Sequence, residues 1–245
     1  MRIVFLGTSH GAPEVGRKCS CIMVETGKNR YLIDIGIDPI PDLKNRNIPV
    51  ESVKKVFVTH MHGDHISGIL PYIGGCSCWW FRFSDPEFYL PMDIEKFKIG
   101  MNAWFDMLGS KIKDFAFHRV NDGVICDDGT IKLTAYRTKH CEESYAYLLE
   151  AEGKRVFFSG DLCPDGPDKD FPTQVLNAPL DLAICESAHF DATEYIPLFE
   201  NKKDNIKQLV ITHYTEQRVP FIHEMAATLK GVPVAIARDG MEFDI

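Results

Sequence analysis

The stretch Val56-Phe57-Val58-Thr59-His60-Met61-His62-Gly63-Asp64-His65 decides how this chain folds. Three histidines and one aspartate stand within six residues, directly after an apolar run, so a buried strand delivers four metal-competent side chains to one bend. Imidazole and carboxylate ligands without nearby thiolates suit zinc, iron or manganese. The simpler alternative is a polar loop in which histidines cluster by chance, but three of the nine histidines of the chain fall in this hexapeptide. The stretch therefore predicts a metal site, and a hydrolytic one.

Composition and charge are those of a globular protein without a polyanion-binding surface. The 245 residues are 45% apolar and 25% charged, and a single domain over residues 1–245 is expected. The formal net charge of −8 argues against a general nucleic-acid-binding surface, which needs clustered lysine and arginine. It does not exclude a small phosphate ester, because bound divalent ions invert the local field.

The start of the chain, Met1-Arg2-Ile3-Val4-Phe5, reads directly as a strand without the pattern of a signal peptide. No apolar run reaches the roughly 18 residues of a membrane-spanning helix. A cytoplasmic protein that does not contact membranes is therefore expected.

The eight cysteines are interpreted as reduced thiols, because no secretory context accompanies them. The pairs Cys19/Cys21 and Cys76/Cys78 raise the alternative of a structural metal site. Paired zinc ligands are usually separated by about two to four residues, and Cys21 continues into the strand-like run Ile22-Met23-Val24. Buried small apolar side chains are the favoured interpretation, and the metal alternative stays open.

Short β-rich runs alternate with a few helical stretches, and no internal repeat is visible. Strands are predicted at Ile3–Leu6, Cys21–Glu25, Tyr31–Ile33, Val53–Val58, Ile131–Tyr136, Tyr145–Leu149, Arg155–Phe158, Leu182–Cys185, Leu209–Ile211 and Val234–Ala237. Helices are predicted at Ile66–Tyr72 (ending near Gly74-Gly75), Asp93–Leu108 (with Asp93 as N-cap), Ala192–Phe199 (kinked or cut short by Pro197) and Pro220–Leu229. Two β-rich halves with interspersed helices predict an α/β fold, a four-layer αβ/βα sandwich.

Three further strand ends carry ligand-type residues. His140 follows the strand that ends near Tyr136, Asp161 follows Val156-Phe157-Phe158, and His213 follows Leu209-Val210-Ile211. Each of these residues alone is weak evidence for a metal ligand. A lone histidine is more often a surface or capping residue, and a Gly-Asp pair is more often a turn. Together with the histidine stretch, four such ends predict one site at one edge of a sheet scaffold.

The order H-x-H-x-D-H, then a lone histidine, a lone aspartate and a final histidine, resembles the metallo-β-lactamase superfamily over most of the chain. The resemblance implies the αβ/βα sandwich and two divalent metal ions, with zinc foremost and manganese or iron as alternatives. It also implies a ligand set. His60, His62 and His140 would bind one ion, Asp64, His65 and His213 would bind the second, and Asp161 would bridge the two.

The opening stretch Phe5–Pro13, with Arg17 and Ser20, narrows the resemblance to ribonuclease Z and related phosphodiesterases. The strand end Leu32-Ile33-Asp34-Ile35-Gly36 matches the next part of that pattern. Asp34 is expected to support the histidine loop by hydrogen bonds, as metal sites commonly require. His10 either borders the pocket or serves a turn, and His118 and His223 are interpreted as surface or structural residues.

Glu186 and His189 follow another predicted strand end. In the ribonuclease Z-like group a glutamate that resembles Glu186 supports the site, and a histidine that matches His189 lies by the substrate phosphate. The resemblance implies catalytic roles for Asp64, Glu186 and His189, with Asp64 orienting the nucleophile and His189 acting as general acid or electrophile. The alternative for His189 is capping of the segment that starts near Asp191.

The chain also departs from ribonuclease Z. That enzyme carries a Gly/Pro-rich arm for tRNA between the lone histidine and the bridging aspartate, whereas only residues 141–160 separate His140 from Asp161. The "H-E-A-T" motif has Cys185 and Ala188 at its outer positions, and "D-T-R-P" appears as Asp161-Leu162-Cys163-Pro164. Given the acidic composition as well, tRNA is not the expected partner, and a small or cyclic phosphodiester is favoured.

The leading hypothesis for the reaction is hydrolysis of a phosphodiester through a metal-bridging hydroxide. Two ions about 3.5–4 Å apart can share a hydroxide whose pKa falls to about 7. A lactone or thioester hydrolase with the same metal pair and a ribonuclease Z-like RNA endonuclease without the arm are the alternatives. A redox role, which usually needs a flavin partner domain, and a metal-binding scaffold are less favoured. The aromatic segment Trp79–Phe83 is expected to line the pocket, to form a homodimer interface, or to pack in the core.

Overall fold

The computed structural model of the chain describes residues 1–78 and 81–245. Within those residues the strands form two mixed sheets of seven strands each. The first sheet contains β1 (Arg2–Gly7), β2 (Cys21–Thr26), β3 (Asn29–Ile33), β4 (Val53–Phe57), β5 (Glu87–Leu90) and β6 (Phe117–Arg119). The second contains β7 (Gly123–Asp127), β8 (Lys132–Thr138), β9 (Ser144–Ala151), β10 (Lys154–Phe158), β11 (Leu182–Ser187), β12 (Leu209–Tyr214) and β13 (Val234–Ile236). The last strand, β14 (Glu242–Asp244), returns to the first sheet beside β1.

Both sheets follow the same plan, an antiparallel part followed by a parallel part. In the first sheet β14, β1, β2 and β3 pair antiparallel, and β3 to β6 pair parallel. In the second, β7 to β10 pair antiparallel and β10 to β13 pair parallel. Because parallel strands end at the same edge of a sheet, the segments that follow β10, β11 and β12 meet at one edge.

Alternation of apolar side chains along the strands separates three cores. In β1, Ile3 and Phe5 pack between the sheets together with Phe158 of β10, whereas Val4 and Leu6 point to the outer face. Full burial of such a side chain stabilises the fold by about 1.5–3 kcal/mol. The outer face of the first sheet is covered by α1 (Ile40–Asn45), α2 (Gly63–Ile66), α3 (Ile69–Ser77) and α4 (Ile94–Met107), and that of the second by α5 (Ile196–Glu200) and α6 (Val219–Thr228). The predicted four-layer sandwich is confirmed.

The helix predicted to end near Gly74-Gly75 continues through both glycines to Ser77. A Cβ at Gly74 would lie 3.2 Å from the Phe105 ring, and one at Gly75 would lie 2.4 Å from the end of the Ile40 side chain. The two glycines therefore allow α3 to pack closely against α4 and α1, and they do not end the helix.

The α-helix predicted at Ala192–Phe199, which Pro197 was expected to kink or shorten, is shorter than predicted and begins at Ile196. A 3-10 turn at Ala192–Tyr195 precedes α5, and Pro197 occupies the first turn of α5. A proline is tolerated there because the first amides of a helix have no acceptor within it.

The N-cap prediction for Asp93 is confirmed, since its carboxylate accepts a hydrogen bond from the Lys96 amide at 2.9 Å.

The cysteine and aromatic predictions have mixed outcomes. Cys21 and Cys76 are buried in the outer core of the first sheet, and all eight cysteines are free thiols. Phe81 packs against the same core while Phe83 is exposed, and Trp79 and Trp80 lie outside the described residues.

Along the part of the chain that the structure describes, no helix is both long enough and apolar enough to span a bilayer.

Candidate metal centre

The seven predicted ligands come together where β4, β8, β10 and β12 end. His60, His62 and His140 lie with Asp161 in one group, and Asp64, His65 and His213 lie in a second. Within each group the potential ligand atoms lie within 4.8 Å of one another. These are the two groups that the resemblance to the metallo-β-lactamase superfamily implies.

Asp161 lies between the two groups and is 4% exposed. Its Oδ2 atom is 3.5 Å from His60 Nε2 and 3.7 Å from His140 Nε2. Its Oδ1 atom is 3.4 Å from His65 Nε2 and 3.3 Å from His213 Nε2. One carboxylate thus presents a different oxygen to each group, which is the arrangement that a bridging ligand requires.

The first group consists of three imidazoles whose nitrogens converge. His62 Nδ1 lies 3.0 Å from His60 Nε2 and 3.1 Å from His140 Nε2. Burial and the neighbouring His65 lower the pKa of His60, and burial lowers the pKa of His140. The neutral imidazole, which is the form that binds metals, is therefore favoured at both positions.

The second group leaves buried polar atoms without protein partners. Asp64 Oδ2 lies 3.5 Å from His65 Nε2 and 3.6 Å from His213 Nε2. Among the described residues, His65 Nε2 and Asp161 Oδ1 are buried without a hydrogen-bond partner. Leaving such groups unpaired costs about 1–3 kcal/mol each, so a divalent cation with nitrogen and carboxylate ligands fits this site.

Protonation of the metal-free centre is uneven. Burial lowers the pKa of His65, but the charges of Asp161 and Asp34 outweigh it and raise that pKa well above its usual value. Although burial raises the pKa of the Asp161 carboxyl, His213 and His65 lower it well below its usual range. The raised pKa of His65 favours the ring with a proton on each nitrogen. A cation that binds at Nε2 displaces the proton of that atom, so binding releases a proton.

Asp34 holds His65 from the side away from the centre. Its Oδ2 atom is 2.7 Å from His65 Nδ1, and its Oδ1 atom accepts from the Thr59 amide at 2.8 Å and the Thr59 hydroxyl at 2.9 Å. Nδ1 therefore carries the proton, and Nε2 is left to bind a cation. The expected supporting role of Asp34 agrees with these contacts. Sequence reasoning did not identify Thr59, whose hydroxyl also lies 3.2 Å from His60 Nδ1.

Replacing Asp34 with asparagine is expected to weaken binding of a divalent cation at the Asp64–His65–His213 group about 10–100-fold. The new amide would face His65 Nδ1 with a donor, so His65 would move its proton to Nε2, the atom that faces Asp161. Competition with a chromophoric chelator measures the affinity. Asp42→Asn, at a carboxylate that pairs with Lys18 at the surface, is the matched control. Unchanged affinity in the Asp34 variant would contradict this account.

Gly36 is required where the segment that follows β3 passes the residues that carry the ligands Asp64 and His65. A Cβ at this position would lie 1.9 Å from the Asp64 carbonyl oxygen and 2.8 Å from that of Ser20. The sequence pattern included Gly36, but only the structure gives the physical reason. The backbone of the loop that carries Asp64 and His65 rests directly on this residue.

Glu186 and His189 form a third group with Asp161. Glu186 Oε1 accepts from the Leu162 amide at 2.8 Å and lies 2.8 Å from His189 Nδ1. Glu186 Oε2 accepts from the amides of Ala188 at 2.7 Å and His189 at 3.1 Å. The Glu186 carboxylate is thus fully engaged in holding the loops of Asp161 and His189, which makes it a positioning residue.

His189 is partly open to solvent, and its Nε2 atom lies 3.9 Å from Asp161 Oδ2. Burial lowers the pKa of His189, but the hydrogen bond and charge of Glu186 outweigh it and raise that pKa. The ring is therefore suited to carry a proton beside the two ligand groups. Of the other histidines, His10 contacts Ala12 and Glu14 in its own turn, and His118 and His223 are exposed.

Comparisons with known proteins agree with this geometry. The family model described as "Anti-Pycsar protein Apyc1" matches residues 1–229. Ribonuclease BN of Cronobacter sakazakii is 31% identical over 159 residues, which cover 63% of this chain and 51% of that protein. Ribonuclease Z of Listeria innocua is 25% identical over 255 aligned residues, which cover 98% of this chain and 80% of that protein.

A solved structure shows the same fold. The short form of human tRNase Z superposes with a TM-score of 0.78 and 18% identity, over 100% of this chain and 99% of that one. The match to ribonuclease BN spans about half of that protein's length. The chain is thus similar in sequence to ribonucleases BN and Z and has the fold of tRNase Z. With the family model matching almost the whole chain, the protein belongs to the Anti-Pycsar protein Apyc1 family.

Proposed function

We propose that this chain is a binuclear metal-dependent hydrolase that cleaves a small or cyclic phosphodiester. The observation that carries the proposal is Asp161, which presents one oxygen to each of two ligand groups and has His189 beside it. The names of the relatives ribonuclease BN and ribonuclease Z support a phosphodiester as the bond that is cleaved.

The two groups have separate tasks in this proposal. His60, His62, His140 and Asp161 would hold one ion, and Asp64, His65, His213 and Asp161 would hold the other. We propose zinc, with manganese or iron as alternatives for these donors. When bound, such ions supply a water that is ionised at neutral pH and neutralise charge that develops on the phosphate.

The remaining steps belong to side chains of the chain itself. The Asp64 carboxylate lies at the open side of the second group and is placed to orient the attacking water. His189 would donate a proton to the oxygen of the leaving group. Glu186 holds His189 Nδ1 and so directs Nε2 toward that oxygen.

The structure around the centre favours a small substrate. Residues 141–160 form only the turn before β9 and the antiparallel pair β9–β10, so no arm extends between His140 and Asp161. A cavity of about 440 Å³ adjoins His62 and is also lined by Met61, Pro91, Met92, Asp93, Lys96, Arg119, Cys141, Glu142 and Glu143. Its volume suits the organic part of a small ester. An RNA endonuclease activity is the second candidate, because the relatives carry that name.

A parallel assay tests the proposal. The zinc- or manganese-loaded protein is expected to hydrolyse bis(p-nitrophenyl) phosphate and a nucleoside cyclic phosphate, to lose this activity with EDTA, and to regain it with added metal. Faster turnover of a lactone or a thioester would replace the proposal with carboxyl-ester chemistry. A higher kcat/KM on a precursor tRNA than on either small diester would replace it with the RNA endonuclease.

A further inference from the structure

His213 occupies the extra position of a β-bulge in β12. Thr212 pairs with Glu186 of β11, but Tyr214 pairs with Ser187, so His213 has no partner in the ladder. Its φ of 48° lies in the left-handed region, which is strained for a residue other than glycine. Bulges redirect side chains, and here the bulge turns His213 toward Asp161. Contacts outside the ladder must therefore hold this conformation.

Those contacts come from the loop that follows β1. The Thr8 carbonyl accepts from the His213 amide at 3.0 Å, and the Ser9 carbonyl lies 3.1 Å from His213 Nδ1. The second contact places the proton on Nδ1, so Nε2 faces the centre without a proton. The conformation and the tautomer of His213 thus depend on two carbonyl groups about 200 residues away in the chain.

Arg17 donates to two backbone carbonyl groups beside His213. Its Nη1 atom donates to the Thr8 carbonyl at 3.2 Å, the same oxygen that accepts from the His213 amide. Its Nη2 atom donates to the Tyr214 carbonyl at 2.7 Å, directly after His213. The guanidinium lies 4.0 Å above the Tyr214 ring, and the side chain is only 3% exposed. Such a fixed, planar pair of donors is specific to arginine, because lysine offers a single flexible ammonium.

We propose that Arg17 is a positioning residue that sets His213 for the second ion. This inference rests on the ligand role proposed for His213. Arg17 acts by fixing the carbonyls of Thr8 and Tyr214, which together hold the bulge in its left-handed conformation. Without it, the bulge relaxes toward a regular strand, and His213 Nε2 moves away from Asp161 Oδ1.

Metal titration of two Arg17 variants tests the inference. In Arg17→Lys and Arg17→Gln, zinc is expected to bind the His60–His62–His140 group as in the native chain and the second group about 10–100-fold more weakly. Native mass spectrometry gives the stoichiometry, and chelator competition gives the affinities. In the metal-free protein, the slowly exchanging His213 Nδ1 proton expected in NMR spectra should be lost in both variants.

Arg238→Gln is the matched control. Arg238 also lies against the Tyr214 ring, 5.5 Å from its centre, and pairs with Glu216, as Arg17 does, but it contacts neither carbonyl. This variant is expected to bind both ions with native affinity, which separates the carbonyl contacts from a general effect on the Tyr214 stack.

The outcomes separate the inference from the proposed function. A native chain that binds fewer than two ions would overturn the proposed function and the inference together. A native chain that binds two ions, with an Arg17→Lys variant that binds the second ion equally tightly, would overturn only the inference. If Arg17→Gln fails to bind even the first ion because it does not fold, the lysine variant decides.

Discussion

Replacing Asp161 with asparagine is expected to reduce the bound metal from two ions to at most one per chain and to lower phosphodiester hydrolysis at least about a thousandfold. Asp161 is the residue whose two oxygens face both ligand groups. An amide keeps the shape but replaces one charged oxygen with an NH₂ group that repels a cation. Metal ions stabilise a phosphoryl transition state by several kcal/mol, and about 1.4 kcal/mol corresponds to each tenfold in rate.

The fold is expected to survive this change. Asparagine fills nearly the same volume as aspartate. The fold loses no hydrogen bond at Oδ1, because this atom of Asp161 has no hydrogen-bond partner. Elemental analysis measures the metal content, and near-ultraviolet circular dichroism monitors the packing of the metal-free protein. Asp168→Asn, at an exposed position in the loop after Asp161, is the control and should keep two ions and full activity. Two tightly bound ions in the Asp161 variant would contradict the bridging role.

The place of the site could be predicted because His60, His140, Asp161 and His213 each follow an apolar run by two to four residues. The division of the ligands into two groups rests on the resemblance to the superfamily. A strand fixes direction over several residues, so the residue beyond its end is placed with little ambiguity at the sheet edge. His60, His140 and Asp161 lie beyond the ends of β4, β8 and β10, whereas His213 lies within β12 at its bulge. The structure brings all four side chains together. The same reasoning works for β-rich layers in general, because period-two alternation identifies a strand locally.

The contacts that orient the ligands could not be predicted in this way. Arg17 acts on His213 through the carbonyls of Thr8 and Tyr214. Every residue has a backbone carbonyl, so residue types do not indicate such contacts. The bulge at His213 is a register shift between two strands, which a single strand does not encode. Short strands such as β6 and β14, of three residues each, carry too little alternation to be recognised before the pairing is known.

The contacts of Glu186 decide between the two roles that the resemblance implies for it, support of the site and catalysis. Both carboxylate oxygens are occupied by amides and by His189, which agrees with support. A carboxylate engaged in this way has no free lone pair directed at a substrate. Its effect on the reaction must therefore pass through His189 and through the loop that carries Asp161.

Replacing His189 with alanine is expected to leave both ions in place and to lower kcat about 10²–10⁴-fold on a diester with an alkyl leaving group. The ring belongs to neither of the two proposed ligand groups, yet its Nε2 atom lies 3.9 Å from Asp161 Oδ2, and its Nδ1 atom is held by Glu186. It is therefore placed to protonate a leaving oxygen. His118→Ala, at an exposed histidine, is the control and should retain native kinetics.

The leaving group distinguishes proton donation by His189 from a structural role. A p-nitrophenolate departs without protonation, so loss of a general acid should slow bis(p-nitrophenyl) phosphate much less than an alkyl diester. If His189 had only a structural role, its loss would misplace both substrates in the same way and lower the two kcat values by the same factor. The test is the ratio of the two kcat values in His189→Ala relative to the native chain, with metal content measured on the same samples. Equal losses on both substrates, or full activity on the alkyl diester, would exclude His189 as the proton donor, whereas a selective loss on the alkyl diester separates its role from that of the metal ligands.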